Sequence, residues 1–274
     1  MSDFLKARAI FEDENKPYTP YSNAYILVPS LKRAHATLIE SIRQPLKIIM
    51  LYGAPGSGKT ALLNRLSYDA KSINNKAMLL YFTPTFANIE ELRKIYNNYA
   101  DSKIADSATF FDILTAFNAN FEKDFFLVLL DEAQLYSEHE MELIRLLADT
   151  RVFKFIISLH KLEDEDQLAK AHFQTRIWES IFLKPFTKDE LKFFVEKKLL
   201  ANDLAHILSA FDDNFYKKIH RWTKGNIRES MKFFYKLFDF YIYLDENAAS
   251  HINRTKFSHK SLEMFAIHAG YIKI

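Results

Sequence analysis

There is no cysteine among the 274 residues. Disulfides, zinc–thiolate sites and cysteine nucleophiles are therefore excluded, and a reducing compartment is compatible with the composition. A strong charge of either sign is also missing. The formal net charge is +2, with 26% of residues charged, too small a bias to claim a nucleic-acid or membrane surface. No stretch approaches the ~18–20 uncharged residues of a membrane helix. Met1 to Phe11, broken by Asp3, Lys6 and Arg8, lacks the apolar centre of a signal peptide. The expected location is cytoplasmic, with any membrane attachment running through a partner. Repeats and low-complexity segments are absent as well. His35, His139, His172 and His206 show no metal-ligand spacing.

What is present centres on one stretch, Gly53-Ala54-Pro55-Gly56-Ser57-Gly58-Lys59-Thr60. The apolar run Leu46–Tyr52 precedes it, and Ala61–Leu66 reads as a helix after it. Strand, glycine loop and helix in that order make a Walker A phosphate loop. The glycines let the backbone approach phosphate oxygens, and successive N–H groups at a helix start supply partial positive charge. Gly53 through Ala61 would cradle the phosphates of ATP. Lys59 would reach the β and γ phosphates, and the Thr60 hydroxyl would ligate Mg²⁺.

The remaining chain alternates strands and helices. Residues 1–28 read as a lead-in, with a short amphipathic helix over Ser2–Asp13 and an extended stretch, Asn15–Tyr25, holding Pro17 and Pro20. A helix is expected over Pro29–Arg43. Strands are expected at Ala77–Phe82, Phe125–Leu130, Val152–Ser158 and Trp178–Leu183. Helices are expected at Ile89–Tyr99, Ser107–Phe121, Glu138–Ala148 and Asp164–Phe173. Phe125–Leu130 is continuously apolar, as a strand buried on both faces of a parallel sheet should be. The pattern implies an α/β nucleotide-binding core over 29–186, built on a five-stranded parallel sheet. After Pro185 no strand remains, and 187–274 reads as an all-helical subdomain. It opens on a capping box, Thr187 with Glu190. The aromatic-rich stretch Phe233–Leu244 reads as packing of that subdomain, with a partner-binding face as the alternative.

Asp131-Glu132, at the end of the apolar strand, supplies the second half of the chemistry. A carboxylate at the carboxyl end of a buried strand beside a phosphate loop is placed to hold Mg²⁺. Asp131 takes that role as a Walker B residue, and Glu132 would polarise the attacking water. The implied reaction is in-line attack of water on the γ-phosphate of ATP.

Together these motifs resemble the AAA+ P-loop ATPases. Leu130-Asp131-Glu132-Ala133-Gln134-Leu135, followed by Glu142–Leu147 and preceded by Tyr25 and Pro29–Ala34, resembles the general secretion pathway A (ExeA-type) ATPases. Transposition ATPases of the TniB type and origin-binding Cdc6-like proteins share the plan. The resemblance implies a helical lid after the core. It places sensor 1 at His160, with Ser158 as the second candidate and a bland strand-end histidine as the alternative. It places an arginine finger at Arg176, in a dimer or ring whose subunits act on each other's nucleotide; an arginine in a surface ion pair is the ordinary alternative. It places sensor 2 at Arg228, in Gly225-Asn226-Ile227-Arg228, where Gly225 would end one helix and Asn226 cap the next. The biological role it implies is an accessory ATPase of a type II secretion, type IV pilus or DNA-uptake machine at the inner membrane. ExeA-type proteins usually carry a membrane span and a peptidoglycan-binding part, so a recruited role without wall binding is expected. The alternative is an ATP-dependent DNA-binding regulator of the TniB-like or Cdc6-like type, and DNA therefore stays open as a partner.

Overall fold

A computed structural model describes residues 3–12, 26–73, 77–82, 88–121, 124–150, 152–160, 175–247 and 258–272. The expected extended stretch Asn15–Tyr25 and the expected helix Asp164–Phe173 lie outside the described residues. The chain divides into two compact units.

One unit holds Arg33–Pro55 and Lys59–Leu183. Its centre is a sheet of β1 (Ile48–Gly53), β2 (Ala77–Phe82), β3 (Phe125–Leu130), β4 (Phe153–Leu159) and β5 (Ile177–Leu183). The order is β2-β3-β4-β1-β5, and every pairing is parallel. Parallel strands need helical crossovers that cover both faces, and the sequence shows it. Every residue of β1 and of β3 is buried, so neither strand alternates polar with apolar. At the edge, β5 does alternate, leaving Trp178 and Phe182 exposed. One face of the sheet carries a continuous apolar core in which Phe117, Phe126, Phe153 and Phe155 are fully buried.

The helices of this unit are most of α2 (Pro29–Ile42), then α3 (Lys59–Ile73), α4 (Ile89–Tyr99), α5 (Phe110–Asn120) and α6 (Glu138–Asp149). Their starts follow from capping residues. The Asn88 side chain accepts from Glu91 N–H at 2.7 Å. Thr109 with Asp112, and Ser137 with Glu140, form capping boxes.

The other unit holds Met1–Lys32, Gly56–Gly58 and Lys184–Ile274. It contains α1 (Asp3–Ile10), α7 (Lys188–Leu200), α8 (Ala205–Leu208), α9 (Asp213–Thr223), α10 (Ile227–Asn247) and α11 (His259–His268). No strand occurs among its described residues. Thr187 and Glu190 form the expected capping box at α7. On α10, Ser230, Phe233, Phe234, Leu237, Phe238 and Tyr241 are buried, a spacing of three and four that defines one helix face. Phe233, Phe234, Phe238 and Tyr241 on that face are therefore core. Each ring contributes about 1.5–3 kcal/mol on burial.

The first helix, read from sequence as a lead-in, packs against α10. Phe11 is fully buried and stacks on Phe234 at 4.9 Å. The buried Lys198 ammonium donates to the Ile10 carbonyl at 2.8 Å, and Arg8 pairs with Asp239 at 2.7 Å.

Candidate functional site

The expected site residues on the sheet unit gather at the carboxyl ends of β1, β3 and β4. Gly53 closes β1, and Lys59 and Thr60 open α3. Lys59 is buried, and its ammonium donates to the carbonyls of Gly53 at 2.8 Å and Ala54 at 3.4 Å. Thr60 Oγ1 donates to Asp131 Oδ2 at 2.6 Å. Asp131 is 1% exposed, which is costly for a carboxylate unless its oxygens are satisfied. Its second oxygen, Oδ1, accepts from Ser158 Oγ at 2.7 Å and from Glu132 N–H at 3.0 Å. Ser158 is itself fully buried. The hydroxyl expected as an alternative sensor thus holds the Mg²⁺-ligand candidate instead of facing outward.

Glu132 has φ +54° and ψ +40°, a left-handed conformation that costs a non-glycine residue about 1–2 kcal/mol. Such strain concentrates at functional positions. Gln134 Nε2 donates to Glu132 Oε2 at 2.5 Å, and His160 Nε2 lies 2.9 Å from the same oxygen. Partial burial pushes the Glu132 carboxyl up. Donation from Gln134 and the charges of His160 and Lys59 outweigh it and hold the group below the usual carboxylate range. His160 follows directly on β4, so the structure brings it to Glu132.

Arg176 lies elsewhere. It precedes β5, and β5 runs parallel to β1 with Ile48 opposite Ile177 and Gly53 opposite Leu183. Arg176 therefore sits at the amino-terminal edge of the sheet, while the phosphate loop leaves the carboxyl edge. Its guanidinium donates to Asp149 from Nη2 at 2.7 Å and from Nε at 3.0 Å. Lys47 Nζ lies 2.7 Å from the same carboxylate. The Arg176 bonds and the Lys47 ammonium hold the Asp149 carboxyl down at about 2, against the smaller opposing effect of burial.

The middle of the loop is described with the helical unit. Gly56 has φ +76° and Gly58 φ +92°. A Cβ on Gly56 would lie 2.6 Å from Asn226 Oδ1 and 2.8 Å from Arg228 Cβ, and one on Gly58 would lie 3.1 Å from Ile227 Cδ1. Only glycine fits this approach. Arg228 N–H donates to the Gly56 carbonyl at 3.4 Å. Asn226 caps α10 by accepting from Glu229 N–H at 3.1 Å, and the Arg228 side chain is exposed. The Ser57 hydroxyl is buried without a hydrogen-bond partner among the described residues.

Residues 42–167 match a family model described as an AAA domain. No curated protein sequence matches the chain. Among solved structures, Cdc6p from Pyrobaculum aerophilum superposes with a TM-score of 0.61 at 15% identity, over 95% of this chain and 70% of that one. A variant of RuvB from Thermotoga maritima gives 0.56 at 13%, over 87% and 68%. Aeropyrum pernix ORC1, in complex with DNA, gives 0.52 at 13%, over 96% and 69%. The fold is that of the AAA+ proteins. Within an AAA+ frame, the residues present suit Mg²⁺ and ATP. Thr60 and Asp131 offer adjacent hard oxygens, Lys59 brings a buried ammonium to the loop, and the loop glycines occupy positions that a Cβ would obstruct. No group of three or more carboxylate, histidine or cysteine ligands occurs among the described residues, so this is no all-protein metal cage. It suits a cation shared with phosphates and water. No helix among the described residues is long and apolar enough to cross a membrane.

One residue escaped the sequence reading as part of this site: Gln134 was legible only as a letter of a motif. Ser158 was expected as a second sensor candidate, but its bond to Asp131 joins residues 27 positions apart. No local pattern signals either contact.

Proposed function

We propose that the protein binds Mg-ATP and hydrolyses it, cycling between nucleotide states to drive a partner. The observation that carries this reading is the connected set Thr60–Asp131–Ser158 beside the buried Lys59, with Glu132 held next to Asp131. Lys59 would bind the β and γ phosphates. Thr60 and Asp131 would hold Mg²⁺, which supplies neutralisation of the charge on the β and γ oxygens. Glu132 would orient and polarise the attacking water. Arg228 would meet the phosphates as sensor 2 and His160 would act as sensor 1 through Glu132. Arg176 would serve a second copy's nucleotide in an oligomer.

Phosphate release by Lys59→Ala and Glu132→Gln tests the assignment. Lys59→Ala should lose both binding and turnover. Glu132→Gln should keep Mg-ATP binding while turnover falls about 10²–10⁴-fold. Unchanged turnover in Lys59→Ala refutes the site.

The process this serves is an accessory ATPase role in a type II secretion, type IV pilus or DNA-uptake machine at the inner membrane, on the likeness of residues 130–135 and 142–147 to ExeA-type proteins. A second reading is favoured by a different observation: the fold resembles Cdc6p and an ORC1 protein solved with DNA. That reading makes the chain an ATP-dependent DNA-binding regulator of the Cdc6-like or TniB-like kind. Capture from cells with Glu132→Gln separates them. Secretion or pilus proteins support the first; DNA and recombination proteins, with binding that weakens steeply with salt, support the second.

A further inference from the structure

Gln134 uses both ends of its amide. The Nε2 group donates to Glu132 Oε2 at 2.5 Å, and Oε1 accepts from the His160 backbone N–H at 3.4 Å. One side chain thereby ties Glu132, the second residue after β3, to His160, the first residue after β4. The same carboxylate also meets His160 Nε2, at 3.2 Å from Oε1 and 2.9 Å from Oε2. The backbone supports the arrangement. Residues Ala133–Leu135 form one 3-10 turn, closed by Leu135 N–H on the Glu132 carbonyl at 3.0 Å. That turn sets Gln134 two residues beyond Glu132 and folds its side chain back. The left-handed backbone of Glu132 fixes the direction of its Cα–Cβ bond but leaves the carboxylate free to rotate.

We propose that Gln134 is a positioning residue for ATP hydrolysis, clasping the Glu132 carboxylate to the end of β4 so that it presents one orientation to the attacking water. The proposal rests on Glu132 being the residue that polarises that water. Orientation of a reacting group is worth more than its presence alone, because a misplaced group loses the near-attack geometry. Glutamine is suited to the task because one planar group must donate to a carboxylate and accept from a backbone N–H at once. Glutamate has the same length and cannot donate when ionised; methionine fills the space and does neither.

Gln134→Glu is the sharpest variant, since it keeps the shape and sets a carboxylate against Glu132. The expected result is a kcat lowered about tenfold or more, with the KM for ATP and the melting temperature unchanged. Gln134→Met should behave alike. In a Glu132→Gln background, Gln134→Glu should cost nothing further. A folded Gln134→Glu protein with kcat within about twofold of wild type overturns the clasp. So does an equal added loss in the Glu132→Gln background, because Gln134 would then act without Glu132. A nucleotide-free readout is independent of turnover. By NMR, the Gln134 side-chain amide protons should exchange slowly and shift on Glu132→Ala; fast exchange and no shift overturn the contact. If Glu132→Gln turns over ATP as fast as wild type, the reading beneath the proposal has failed. If Glu132→Gln is slow and Gln134→Glu is fast, the proposal alone has failed.

Discussion

Asp149 carries more cationic contact than any carboxylate at the phosphate-loop end of the sheet. Arg176 and Lys47 both lie 2.7 Å from it, and Arg145 lies 3.5 Å away. Its carboxyl is held at about 2, from an ordinary value of 3.8. A depressed carboxyl stabilises the fold fully above the unfolded value and loses that stability as pH falls through the folded one. The window is therefore about pH 4 down to about 2. Asp149 is 33% exposed, and solvent screening reduces the contribution to about 1–2 kcal/mol. Asp149→Asn should lower stability at pH 7 by that amount and flatten the pH dependence between about 4 and 2, measured by urea unfolding across pH. An unchanged acid limb would show that the ion pairs contribute nothing net. Other residue contacts were closed to sequence reading for a plain reason. Ser158 lies on β4 and His160 just after it, and they meet Asp131 and Glu132 just after the neighbouring β3, so their roles exist only once the two strands pair. The sequence places His160 at a strand end, and only the register of β3 against β4 makes Glu132 its partner.

At the scale of elements, legibility follows the strength of local rules. The strand Phe125–Leu130 was readable to the residue because an unbroken apolar run bounded by Asp124 and Asp131 has no competing period. The start of α7 was readable because Thr187 and Glu190 satisfy two orphan N–H groups reciprocally. The 3-10 turn at Ala133–Leu135 was not, because three residues carry no periodicity and the left-handed Glu132 that launches it is a non-glycine residue. The packing of α1 on α10 was equally hidden, since an isolated eight-residue helix declares no partner. The junction between α9 and α10 can be tested directly. Gly225 has φ +68°, and a Cβ there would lie 2.1 Å from the Phe186 carbonyl oxygen. That carbonyl also lies 2.8 Å from His220 Nε2, and Phe186 N–H donates to the Gly225 carbonyl at 2.8 Å. Neither backbone can yield without breaking bonds. Gly225→Ala should cost about 3 kcal/mol, from left-handed strain plus the clash. Gly270, at φ +79°, has nothing within 4 Å of its would-be Cβ, so Gly270→Ala should cost only about 1 kcal/mol. Equal midpoint shifts in the two variants would show that the Phe186 contact does not matter.

For the molecule as a whole, the question is whether one chain is enough for the proposed reaction. Arg176 and Gly53 occupy opposite edges of the sheet, separated by the six residues of β1. At about 3.3 Å per residue this is roughly 15–20 Å, beyond the reach of an arginine side chain. An Arg176 that contributes to hydrolysis must therefore act on a second copy's nucleotide, leaving Asp149 to do so. Mixing two inactive variants tests this. Glu132→Gln supplies an intact arginine, and Arg176→Ala supplies an intact Glu132. Each alone should turn over slowly, whereas a mixture contains interfaces that combine the two intact residues. Phosphate release from the mixture should exceed the average of the separate rates and rise with protein concentration, as mass action on association requires. Melting of Arg176→Ala controls for loss of the Asp149 ion pairs. A folded Arg176→Ala protein with wild-type turnover makes Arg176 a structural partner of Asp149 alone. A mixture that never exceeds the average, at concentrations where the chains associate, removes it from the second copy's site.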